Sequence, residues 1–96
     1  MTVVLSEHGT ATVVRVTGEI DLLTAPDLGA ELARAIGLGG AGDRTVVVDL
    51  TEVGFMDSSC VHVLLNAGAL AERVGIRLVV RKPQGPASMA LDICGL

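Results

Sequence analysis

Asp57-Ser58-Ser59-Cys60-Val61-His62 is the stretch of this chain richest in reactive groups, with a carboxylate, two hydroxyls, a thiol and an imidazole in six consecutive positions. Ser58 and His62 stand four apart, so on a helix they share a face with Asp57 close by, superficially a nucleophile, a base and an acid. The chemistry does not follow through. The G-x-S-x-G elbow that exposes a hydrolase serine is absent, the side chains of adjacent Asp57 and Ser58 diverge, and no oxyanion-binding pair can be read from the spacing. No catalytic residue is assigned. Metal binding fails on similar grounds: His8 and His62 lack partners at ligand spacing, and Cys60 and Cys94 form neither a CxxC pair nor a Cys/His cluster. Neither a metal nor a cofactor is expected. On local physics alone, Asp57, Ser58 and Ser59 are helix-capping residues at a terminus whose unpaired N–H groups carry partial positive charge. Cys60, in the first turn, is expected to be more reactive than Cys94, because that partial charge favours thiolate even though Asp57 opposes it.

The elements that must position this segment are legible in the spacing of apolar residues. Thr2–Ser6 and Ala11–Val16 are β-branched runs around the polar Glu7-His8-Gly9-Thr10, which predicts a hairpin. Thr24, Pro26 and Asp27 precede Leu28, Leu32, Ala35 and Ile36 at helical spacing, predicting a helix over Ala25–Ile36. The glycine-rich Gly37–Asp43 ends it and matches no phosphate-binding loop, since it follows a helix rather than a strand. Thr45–Leu50 is a nearly continuous apolar run, expected as the central strand covered by helices. From Cys60 the positions Val61, Leu64, Leu65, Gly68 and Ala69 recur at three and four, predicting a second helix that ends at Gly75. Ile76–Val80 should be a strand and Ala87–Ile93 a short last helix after the Pro83–Pro86 break. The order β-β-α-β-α-β-α predicts an α/β fold: a mixed, mainly parallel sheet with helices and an N-terminal antiparallel hairpin. Val53–Cys60 then falls where the central strand gives way to the second helix, at the carboxyl edge where ligands and partners of open α/β sheets meet the fold.

Composition narrows the function classes. The 96 residues make one domain spanning 1–96, and 50% hydrophobic content with a mean hydropathy of +0.61 is incompatible with intrinsic disorder. One Phe and no Tyr or Trp leave no stacking platform for bases, and a net charge of −4 provides no field for phosphate backbones or anionic lipid. Nucleic-acid partners are therefore not expected. No apolar run reaches the roughly 20 residues of a membrane span, and no leader pattern opens the chain, so the expected location is the cytoplasm. Two isolated thiols agree with that expectation.

Phe55-Met56-Asp57-Ser58-Ser59, preceded by Val46-Val47-Val48-Asp49-Leu50, resembles the core signature of bacterial anti-sigma factor antagonists, the single-domain STAS family. Val16-Thr17-Gly18-Glu19-Ile20-Asp21 with Thr24-Ala25 resembles the family's strand-to-first-helix segment, and Leu91–Leu96 its late helix and following turn. The resemblance covers essentially the whole chain. It implies a STAS-like fold and a non-enzymatic partner switch: unphosphorylated, the protein binds an anti-sigma factor that is also a serine kinase and so frees a sigma factor for transcription. Phosphorylated on Ser58, it lets go, and a serine phosphatase resets it. ATP and magnesium belong to the kinase. The partner-binding residues implied are Asp21, Met56, Asp57, Ser58 and Ser59.

Two departures from the family pattern stand out. Cys60 and His62 occupy positions where the antagonists usually carry glycine, which adds bulk at the helix N-terminus. The resemblance also implies a further strand and helix after the residues matching Gly95-Leu96: the domain is expected to tolerate an uncovered edge, to have it covered by a second copy in a homodimer or by a partner, or to be a truncated product, and as a monomer to be less stable than a full-length relative. The same fold also serves as an accessory docking subunit of transporters or sensory complexes, which is the alternative function.

Overall fold

The computed structural model describes residues 1–38 and 44–81. Within them the chain forms β1 (Thr2–His8), β2 (Ala11–Ile20), α1 (Ala25–Leu38), β3 (Thr45–Met56), α2 (Ser58–Val74) and β4 (Arg77–Arg81). The sheet has the order β1-β2-β3-β4. β1 runs antiparallel to β2, and β2, β3 and β4 are mutually parallel, as the hairpin followed by two helical crossovers requires. Both crossovers step across the sheet in the same direction, so with one handedness they place α1 and α2 on the same face, where the two helices pack together. The expected short helix over Ala87–Ile93, together with Cys94 and the Gly95-Leu96 terminus, lies outside the described residues, as does most of the glycine-rich loop.

The core lies between that helix pair and one face of the sheet. Val14 and Val16 of β2, Val46, Val48 and Leu50 of β3, Leu28, Leu32 and Ile36 of α1, and Leu64 of α2 form one buried cluster. Small β-branched side chains on the pleated face and leucines on the helices fill this layer without an aromatic ring.

Several readings from spacing need correction. β1 runs on to His8 and β2 to Ile20, past the expected ends at Ser6 and Val16, and α1 continues beyond Ile36 to Leu38. β3 does not stop at Leu50 but continues to Met56, because Val53 enters the core and Met56 packs against it, and this prolongs pairing with β2. α2 begins at Ser58 rather than Cys60 and buries Cys60, Leu64, Ala67, Gly68 and Ala71. Val61 and Leu65, read as members of the apolar stripe, are 43% and 45% exposed, and Ala69 of the same stripe is exposed as well. Apolar residues extend around more than one side of this helix, and packing against α1 and β4 decides which side turns inward. Gly75 ends α2 at φ 78°, a left-handed conformation that favours glycine, and the N–H groups of Gly75 and Ile76 close back on Glu72 O and Ala71 O at 3.2 and 2.8 Å.

Candidate functional site

Parallel pairing brings two strand ends level: Glu19 faces Phe55 and Ile20 faces Met56, and the Asp57 N–H donates to Ile20 O at 3.2 Å. The chain therefore leaves β2 through Asp21 and β3 through Asp57 side by side at the carboxyl edge of the sheet. These two turns, far apart in sequence, are made neighbours by the ladder.

Asp57 is the N-cap of α2, in extended backbone (φ −106°, ψ −172°), and its Oδ1 accepts from Ser59 N at 2.8 Å. That bond satisfies one of the orphan donors of the first turn and turns the carboxylate toward the helix start rather than toward His62. Ser58 follows as the first helical residue and is exposed, Ser59 is half-buried, and His62 lies exposed one turn further on. Cys60 is fully buried in the core, so a reagent cannot reach it while the helix is closed; the expected comparison with Cys94 lies outside the described residues.

Asp21 builds the neighbouring turn from its own side chain. Oδ1 accepts from Leu23 N and Thr24 N, each at 3.0 Å, while the Thr24 hydroxyl accepts from Asp21 N at 2.9 Å. Hydrogen bonds from the Thr24 and Leu23 N–H groups hold the Asp21 carboxyl below the ordinary aspartate range. Asp21 is thereby tied into its loop, and the side chains thrust outward are Leu22, 74% exposed, and Leu23, 85% exposed. Phe55, beside Glu19 on the adjacent strand, is 53% exposed. Met56 is half-buried and packs against the core, so it is chiefly a packing residue.

The structure thus brings Asp21, Met56, Asp57, Ser58 and Ser59 to one edge. Leu22, Leu23 and Phe55 are the apolar members of that edge that spacing did not single out. The signal was present for the leucines: an apolar pair between Asp21 and Thr24, in a turn too short to bury it, has to face solvent. Among the described residues, the segments forming this edge carry no Lys or Arg between residues 16 and 33 or between 45 and 72. No group of three or more metal-ligating side chains occurs among the described residues.

With this geometry in place, the chain's affinities are clear. Residues 3–96 match the STAS_2 family, described as "Mlab, STAS domain", and the chain belongs to that family. Its fold is also that of solved anti-sigma factor antagonists. An antagonist from Mycobacterium paratuberculosis is 30% identical with a TM-score of 0.69, over 91% of this chain and 70% of that one. The antagonist SpoIIAA in its unphosphorylated form is 26% identical with a TM-score of 0.68, over 88% of this chain and 76% of that one. The Bacillus cell fate determinant SpoIIAA in its phosphorylated form is 26% identical with a TM-score of 0.67, over 86% and 74%. A search of curated protein sequences gave no match.

Proposed function

We propose that this protein is an anti-sigma factor antagonist that works by partner switching, with Ser58 as the phosphorylated residue. The observation that carries the reading is the exposed Ser58 at the first position of α2, level with the Asp21 turn and bordered by Leu22, Leu23 and Phe55. Likeness to an antagonist solved both with and without phosphate supports it. In this reading Asp21, Met56, Asp57, Ser58 and Ser59 belong to the surface that docks an anti-sigma factor with serine kinase activity, the exposed apolar side chains supply buried area on docking, and a separate phosphatase reverses the modification. The protein itself contributes no catalytic group.

The switch follows from local electrostatics. A phosphate on Ser58 adds about −1.5 to −2 charges at pH 7. In the isolated domain the α2 N-terminus favours that charge by roughly 0.3–1 kcal/mol, offset by Asp57, so the fold is retained. At a docked interface the phosphate loses its water, and the edge offers no Lys or Arg of its own to replace it. A charge buried without partners costs several kcal/mol, and each 1.4 kcal/mol is about tenfold in affinity. Incubation with an anti-sigma factor kinase of the same genome and ATP, followed by peptide mass spectrometry, tests the assignment. Phosphate on Ser58 is the expected result, and quantitative modification of Ser59 instead would overturn it.

A further inference from the structure

β3 is two residues longer than the stretch of β2 it pairs with. Arg15 faces Asp49 and Ile20 faces Met56, so five steps along β2 match seven along β3, with register shifts between Arg15 and Thr17 and between Gly18 and Glu19. The core-facing positions of β3 record the same event. Val46, Val48 and Leu50 follow the two-residue period of a strand, and then Val53 and Met56 come at steps of three. Two insertions restore the parity that one alone would invert, and their combined effect is to bring Met56 opposite Ile20 and the Asp57 N–H onto Ile20 O.

Each shift has its own support. At the second, Gly18 adopts φ 96°, and a Cβ there would also press on the Met1 backbone at 3.3 Å. At the first, the Asp49 carboxylate bonds the residue two further on: Oδ1 accepts from Thr51 N at 3.0 Å and from Thr51 Oγ1 at 2.6 Å. The other oxygen, Oδ2, lies 3.6 Å from Arg15 Nε, and the carboxylate is 7% exposed. The two oxygens therefore have separate tasks, one holding the bulge and one pairing with the neighbouring strand.

We propose that Asp49 and Thr51 are positioning residues for the Ser58 turn, holding the β3 bulge that sets the turn level with the Asp21 loop. Without the Asp49 acceptor, the strand cannot relax to regular pairing, because a two-residue step from Leu50 would drive Glu52 into the core and expel Val53. The segment from Thr51 to Asp57 loosens instead, and the turn loses its fixed height beside Asp21. This proposal rests on the reading of the edge as a docking surface only for its functional consequence.

The test compares Asp49→Ala, Asp49→Asn, Thr51→Val, Thr51→Ser and Arg15→Ala in the full chain, by site-resolved amide hydrogen exchange and by affinity for an anti-sigma factor kinase of the same genome. Asn and Ser preserve the carbonyl acceptor and the hydroxyl donor, and Arg15→Ala removes only the ion pair. We expect the Asp57 amide to exchange at least about tenfold faster in Asp49→Ala and Thr51→Val while Val47 and Val48 stay protected, with partner affinity falling in the same two variants. Asp49→Asn, Thr51→Ser and Arg15→Ala should stay within about threefold of the parent in both readouts. If Asp49→Ala unfolds globally, exposing Val47 and Val48 as well, the Thr51→Val and Thr51→Ser pair decides. Unchanged Asp57 exchange in Thr51→Val, or failure of Thr51→Ser to preserve it, overturns the positioning role. A parent protein that binds no such kinase refutes the proposed function, and the exchange comparison still decides the positioning claim.

Discussion

At the scale of single residues, three aspartates take different tasks from the same carboxylate. Asp57 caps α2, Asp21 closes the loop before α1, and Asp49 holds the β3 bulge. Asp57→Ala removes a cap and should cost about 0.5–2 kcal/mol, read as a lower urea midpoint with an unchanged slope. For Asp49, hydrogen bonds from the Thr51 hydroxyl and N–H, joined by the Arg15 and Arg81 charges, hold the carboxyl below its ordinary value against the opposing effect of burial. A folded-state value below the unfolded one means the contribution is fully present above about pH 4 and is lost as pH falls further, when the folded chain must take up a proton. Asp49→Asn cannot titrate. Its stability should therefore be lower than the parent's at pH 7 and should fall less steeply between about pH 4 and pH 2. Parallel acid limbs for the two proteins in urea titrations would refute this. Ser58 carries the functional prediction at this scale: Ser58→Ala should bind the anti-sigma factor constitutively and Ser58→Asp at least about tenfold more weakly, both with native circular dichroism. Equal affinities by calorimetry would separate Ser58 from the switch.

At the scale of elements, the orientation of α2 decides which leucine is structural. Leu64 is 1% exposed and Leu65 45%. Leu64→Ala should cost about 2–5 kcal/mol by leaving a cavity, whereas Leu65→Ala should change stability by no more than about 0.5 kcal/mol. Chemical denaturation distinguishes the two, and equal losses would mean the helix is rotated from the orientation described. Helix boundaries were nearly legible from spacing because caps and glycines mark them: Thr24 and Pro26 at one start, Asp57 at the other, Gly75 at one end. The helical face was not, since Val61, Leu64, Leu65 and Ala69 are all apolar and periodicity alone does not rank them. The extension of β3 past Leu50 was equally hidden. Its two bulges break the two-residue alternation at Thr51 and again near Gly54, so Glu52, Val53 and Gly54 do not alternate like a regular strand.

At the scale of the whole molecule, Cys60 reports on cooperative closure. Because its side chain is fully buried, alkylation must wait for α2 to open, and in a Cys94→Ser background native labelling should be at least about a hundredfold slower than in urea. Fast native labelling would mean that the first turn of α2 frays independently of the core. Among the described residues no helix is long and apolar enough to cross a membrane. By itself the sequence determined the alternation of strands and helices, the hairpin, the capping character of Asp57-Ser58-Ser59 and the resemblance carried by Phe55–Ser59, because each depends on local propensity or on a contiguous pattern. Tertiary structure alone decided that Asp21 and Ser58 stand side by side, that Phe55 faces solvent while Cys60 does not, and that the Asp49 carboxylate bonds Thr51 where the register of β3 shifts. Those outcomes depend on the register between β2 and β3 and on which side of α2 meets the sheet. Register is fixed by pairing between residues more than thirty positions apart, and no local spacing encodes it.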